Sequence, residues 1–179
     1  MARVIEIDLS KRGSVEQAIR ELKEFQIEIE RKCEKLRSRL ADEIRNRAQR
    51  GYDTALGASV HPKYGRGTMF HGIDITVTSE DGDNFSVVLA TGDQVAFLEF
   101  GTGVAFNGTA GSSPHPKGQE LGMTIGSYGK GNGKKTYWGY YEGANLIMTS
   151  GIPASQSLYN ATVEVAEIVQ SIAREVFND

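Results

Sequence analysis

The stretch that decides the fold runs from Phe70 to Gly92, FHGIDITVTSEDGDNFSVVLATG. Apolar and polar residues alternate from Ile73 to Thr78, and a period of two places Ile73, Ile75 and Val77 on one face of a strand, with Asp74, Thr76 and Thr78 on the other. A second strand-like run spans Asn84 to Gly92, and Glu80-Asp81-Gly82-Asp83 between the two supplies a turn. The stretch predicts an antiparallel hairpin.

Upstream the period changes. Val15, Ile19, Leu22, Phe25, Ile29, Cys33, Leu36, Leu40 and Ile44 recur at steps of three or four, with Glu, Lys and Arg between them and no Gly or Pro before Gly51. Ser14 offers an N-cap, and Gln17 completes a capping box. The predicted helix runs to about Ala55, roughly 50 Å or more at about 1.5 Å per residue. A domain of this size does not usually bury that length. Either its N-terminal half lies against a neighbouring subunit, or it curls across its own sheet. Cys33 falls on the apolar stripe, where a free thiol serves as a small hydrophobe. Before the helix, residues 3–9 (RVIEIDL) alternate as a half-buried strand does.

Downstream, residues 137–150 (YWGYYEGANLIMTS) predict a second hairpin turning near Gly143-Ala144-Asn145. Pro153 suits the first turn of a helix because it lacks an N–H. That helix reaches Phe177, with Leu158, Ala161, Val165, Ile168, Ile172 and Val176 as its buried stripe. Residues 104–136 are glycine-rich and exceed ordinary loop length. The expected fold is α+β: an antiparallel sheet packed by a long N-terminal helix and a C-terminal helix. It is a single domain over residues 1–179, with 104–136 a flexible loop insertion.

Composition narrows the function classes. The chain has 179 residues, 39% hydrophobic and 24% charged, which suits one soluble globular domain. Its formal net charge is −3, against the basic surface that wrapping nucleic acid requires. Cys33 is the only cysteine, so no intrachain disulfide forms. No run approaches the roughly 20 apolar residues that span a bilayer. A cytoplasmic site of synthesis and no membrane partner are expected.

Motifs for chemistry are absent or incomplete. In GSYGKGNGKKT (Gly126–Thr136), Gly133-Lys134 is followed by Lys135 instead of Ser or Thr, so no phosphate-binding Walker loop is formed. Lys134 stands where a dinucleotide fingerprint needs its third glycine. His61, His71 and His115 lie in separate segments without ligand spacing, and no Gly-x-Ser-x-Gly elbow occurs. The expectation is no enzyme, no metal and no cofactor. Charge is more informative: Phe70–Gly103 contains six acidic residues and no Lys or Arg, whereas Val104–Thr136 carries Lys117, Lys130, Lys134 and Lys135 against Glu120. This is either ordinary solvated surface or complementarity between a basic loop and an acidic partner, another copy included. A nucleic-acid module would instead use that loop with Tyr128, Tyr137 and Trp138 as stacking surfaces.

The stretch VAFLEFGTG (Val95–Gly103) is followed after a long loop by Gly151-Ile-Pro-Ala154 and Ser157-Leu-Tyr-Asn-Ala161. This order resembles the tail-completion, or head–tail joining, family of long-tailed bacteriophages, over residues 14–178. The long insertion at 104–136 departs from the family's plainer members. The resemblance implies a structural ring, commonly sixfold, in the virion neck. Its partners would be other copies of itself, the head connector or adaptor, and the tail tube or tail terminator. Genomic DNA would pass through without being read, and a tail terminator or other neck ring would share the layout. Candidate assembly residues are Glu99, Phe100, Gly101, Thr102, Gly103, Lys130, Lys134, Lys135, Tyr137 and Trp138.

Glu99 is the sharpest of these. A carboxylate between Leu98 and Phe100 keeps its charge only by accepting hydrogen bonds or meeting a cation. It is expected to accept from backbone amides, or from Arg or Lys across a subunit boundary. Gly101 and Gly103 would supply the positive φ that turns the chain into the loop.

Overall fold

The computed structural model describes residues 7–8, 10–11, 13–58, 60–61, 65–66, 74–92, 94–101, 105–106, 109–110, 115–118, 120–121, 138–149 and 153–178. It is α+β, with antiparallel strand pairs between helices at both ends.

Helix α1 spans Ser14–Ala58. Ser14 is its first residue, not its cap: the Ser14 hydroxyl accepts from the Asp8 amide at 2.8 Å, while the Gln17 amide donates to the Gly13 carbonyl at 3.0 Å. The expected capping box therefore does not form. Asp8 also accepts from the Ser10 amide at 3.0 Å and makes a turn into the helix. Of the strand expected at 3–9, Ile7 and Asp8 are described and neither is in a strand; the rest lies outside the described residues.

Two-residue strands β1 (Val60–His61) and β2 (Gly65–Arg66) pair after α1. The decisive hairpin is β3 (Thr76–Asp81) with β4 (Ser86–Thr91), in register from Thr76↔Thr91 to Asp81↔Ser86. Glu80 and Asp81, expected in the turn, pair with Val87 and Ser86, so the turn itself is Gly82–Phe85, closed by the Gly82 amide on the Phe85 carbonyl at 2.8 Å. Ile75 and Val77 are buried while Asp74, Thr76 and Thr78 are exposed, as the alternation requires. Ile73 lies outside the described residues.

Helix α2 (Val95–Phe100) follows. Within the segment expected to be loop, β5 (Ala105–Phe106) pairs with β6 (Thr109–Ala110), and His115–Gly118 form a turn whose Gly118 amide meets the His115 carbonyl at 2.9 Å. The second hairpin joins β7 (Trp138–Glu142) to β8 (Asn145–Thr149) through Gly143-Ala144, with Gly143 at φ 61°.

Helix α3 spans Ser157–Asn178 and begins four residues later than Pro153 suggests. The amides of Ser155 and Gln156 are held by the carbonyls of Leu98 (2.7 Å) and Glu99 (3.2 Å). Gln156 sits at φ 53°, which no helix continues.

α3 runs antiparallel along the C-terminal part of α1. Contacts step from Gly51 beside Ser157, through Arg47–Glu164 and Arg39–Glu175, to the Lys32 ammonium on the Phe177 carbonyl. The core beneath gathers Ala48 and Tyr52 of α1, Ile75 and Val77 beside and in β3, Leu98 of α2 and Ala161 of α3. α1 buries Ala18, Ala41, Ala48 and Tyr52, whereas Leu36, Leu40 and Ile44 are half-buried and Cys33 is exposed. Cys33 is thus not the buried hydrophobe its spacing suggests. Gly51 lets the two helix backbones approach closely, and Tyr52 fills the core beside Ala48.

Candidate functional site

α1, α2, the turn at His115 and α3 meet at the Glu99 carboxylate. α2 is only one and a half turns long, yet both Leu98 and Glu99 are buried in it. Gly101 ends the helix at φ 77°, its amide on the Phe97 carbonyl at 2.9 Å. That left-handed turn is one a side chain would strain. Gly103, expected to act likewise, lies outside the described residues.

Four donors converge on the carboxylate. The Tyr52 hydroxyl (2.8 Å) and the Leu158 amide (3.1 Å) donate to Oε2. The Tyr159 amide (3.0 Å) and His115 Nε2 (3.2 Å) lie on Oε1. His115 is itself buried, and the Lys117 amide donates to its Nδ1 at 3.0 Å. Nδ1 is therefore the acceptor, and in the neutral ring Nε2 carries the hydrogen given to Glu99. The imidazole rests against Phe100 (centroids 4.4 Å apart) and edge-on to Tyr159 (5.2 Å).

This arrangement does two physical jobs at once. Leu158 and Tyr159 head α3, where the first amides have no intrahelical acceptor. Gln156 precedes the helix but lacks the short side chain that normally caps it. Glu99 supplies the missing acceptor from another element, and its charge faces the positive end of the helix dipole. In return both oxygens of the buried carboxylate are satisfied by donors, which a buried acceptor requires. Burial and the adjacent Glu99 charge raise the Tyr52 phenol well above its ordinary value.

Of the candidate assembly residues, the structure brings Glu99, Phe100 and Gly101 together. Phe100 is half-buried against His115, and Gly101 is buried. Trp138 lies in β7 opposite Thr149. Thr102, Gly103, Lys130, Lys134, Lys135 and Tyr137 lie outside the described residues. Of the basic loop's lysines, Lys117 is described and pairs with Glu120 at 2.7 Å. The acidic hairpin also has a local counterweight. Arg37 of α1 donates to the carbonyls of Gly82 (2.9 Å) and Asp83 (3.2 Å) and to the Ser86 hydroxyl (3.2 Å).

The donors to Glu99 thus come from the chain's own backbone, a phenol and an imidazole. Sequence reading missed Tyr52 and His115 as its partners. Both ring nitrogens of His115 are engaged, Nε2 with Glu99 and Nδ1 with the Lys117 amide. Among the described residues, no group of three or more His, Cys, Asp or Glu could hold a metal ion, and no helix is long and apolar enough to cross a membrane. No protein-family model, curated protein or solved structure matches the chain.

Proposed function

We propose that the chain is a structural protein of a bacteriophage neck, one subunit of a ring that joins the head connector to the tail while DNA passes through. A sixfold ring is the number the family resemblance implies. One observation supports this reading above the others. The two motifs that carry the resemblance, 59 and 60 residues apart at their contacts, make a single unit in which Glu99 of the first caps the helix that follows the second. A short motif shared by chance has no reason to find its companion in space. The unit's role is mechanical: it fixes α2, α3 and the turn at His115 as one rigid piece, suited to bearing load between neighbours.

The partners in this reading are other copies of the chain, the head-side connector and the tail tube or terminator, and the protein acts in the virion. Electron microscopy of particles labelled on this chain tests it. A labelled ring between head and tail is expected. Absence of the chain from the collar of otherwise complete particles ends the reading, and a ring on the tail end alone makes the protein a tail terminator.

A further inference from the structure

The turn His115-Pro116-Lys117-Gly118 is built on one side chain. Its backbone closes through the Gly118 amide on the His115 carbonyl at 2.9 Å. Pro116 takes the second position, where a fixed φ suits a turn and a missing N–H leaves no donor unpaired. The Lys117 amide then turns back to His115 Nδ1 at 3.0 Å, as an amide turns to an Asn or Asp oxygen two residues earlier in an Asx turn. An imidazole accepts in this way only while Nδ1 keeps its lone pair. Pro116 and Lys117 are exposed, whereas His115 is buried.

Among side chains, histidine alone ordinarily changes its charge between about pH 5 and 8. Here the incoming proton arrives at Nδ1, because Nε2 already gives its hydrogen to Glu99 at 3.2 Å. Two N–H groups then point at each other across 3.0 Å, and the Lys117 amide loses its acceptor. Ring and turn are held by different things. Glu99 of α2 faces the ring and holds an imidazolium as an ion pair, with Phe100 of α2 and Tyr159 of α3 packed against it. The Tyr52 phenol of α1 joins the site through Glu99. On the turn itself stands the Lys117 ammonium, paired with Glu120 at 2.7 Å, so a charged ring adds a second cation two residues from the first. The Lys117 amide, not the imidazole, is the part that gives way.

We infer that His115 is a pH-sensitive latch: a neutral ring closes the 115–118 turn onto the Glu99 joint, and protonation at Nδ1 releases the turn while the ring stays docked. The latch works within one chain, so it stands whether or not the protein belongs to a neck.

Nitrogen-15 NMR of the full chain follows both ends of the latch. At about pH 8 the His115 ring should carry its hydrogen on Nε2 and none on Nδ1. As the ring takes up its second proton, Lys117 amide protection, corrected for the intrinsic exchange rate, should fall in step by about five- to tenfold. The Tyr159 amide on Glu99 should keep its protection. His115→Asn retains an acceptor for the Lys117 amide but does not titrate, so protection there should stay flat with pH. His115→Gln retains a donor for Glu99 but has no acceptor in the place of Nδ1, so Lys117 should be unprotected throughout. Lys117 protection that holds while the ring titrates overturns the inference, as does a step that persists in His115→Asn, or a ring still neutral at about pH 5. Loss of Tyr159 protection at the same step puts the proton on Glu99 and overturns it equally. If either variant fails to fold, the wild-type titration decides.

Discussion

Oε1 of Glu99 lies 3.0 Å from the amide nitrogen of Tyr159, across 60 residues of sequence. Removing the charge while keeping the shape tests what this contact does. Glu99→Gln leaves one oxygen for the four donors and turns an amide NH₂ toward the rest. It should destabilise the fold by about 2–4 kcal/mol, the range for a buried charged acceptor losing its bonds. Glu99→Ala strands all four donors and should cost more. Urea denaturation reads both. A Gln variant within about 0.5 kcal/mol of the wild type, the range of a neutral surface change, would show that the carboxylate's charge does not matter.

Much of this fold was legible before the structure, and the exceptions have physical causes. Alternation at Ile75 and Val77 gave the hairpin's inner face because a strand's side chains have only two directions to take. The stripe of α3 was equally plain at Ala161, Val165, Ile172 and Val176. On α1 the large apolar residues misled, because Ala18, Ala41, Ala48 and Tyr52 are buried while Val15, Ile19, Leu22 and Phe25 are exposed. Hydrophobicity alone does not mark a face chosen for close approach. The candidate site was half legible: Glu99 stood out as a charge between apolar neighbours. Tyr52 and His115 carried no sign of it, since partners 47 and 16 residues away are joined only by folding. The start of α3 failed for a similar reason, because Pro153 announces a helix locally while the carbonyls of Leu98 and Glu99 delay it.

Gly51 offers a test of the close approach between α1 and α3. A Cβ placed there would stand 2.8 Å from the Ser157 Cβ and Oγ. Part of that contact is a backbone-linked carbon with no rotamer to yield. Gly51→Ala should therefore destabilise by about 1–3 kcal/mol, although alanine is the better helix former. Ser157→Gly removes the obstructing atoms, so the double variant should recover much of the loss. A thermal-unfolding double-mutant cycle measures the coupling; additive effects would mean that the helices part freely at this point.

Arg37 ties the hairpin's turn to α1 through Gly82, Asp83 and Ser86. Its guanidinium serves two carbonyls at once, a geometry that lysine cannot reproduce. Arg37→Lys should thus behave more like Arg37→Met than like the wild type, each losing about 1 kcal/mol. Hydrogen exchange at the Gly82 amide, bonded to the Phe85 carbonyl, should quicken in both variants. Unchanged protection would assign the turn's rigidity to the hairpin alone.

Tyr52 makes the stability of the fold depend on alkaline pH. Its phenol is raised above the ordinary value of 10.0, first by burial, then by the Glu99 charge and the hydrogen bond to it. The unfolded chain releases this proton near pH 10, whereas the folded chain keeps it. The contribution is therefore complete below about pH 10 and declines as pH rises above it, by at most about 1.4 kcal/mol per unit for one proton. Tyr52→Phe removes the proton and one of Glu99's donors together. The variant should be less stable at neutral pH, by about 1–2 kcal/mol for the lost bond to a charged acceptor. Above pH 10 the gap should narrow and then reverse, because the wild type alone bears the linkage at this site. The other tyrosines titrate in both proteins, so the difference between the two urea midpoints isolates Tyr52. Curves that stay parallel from pH 7 to pH 11 would mean that the phenol ionises as readily folded as unfolded, and that Glu99 and its buried surroundings do not hold the proton in place.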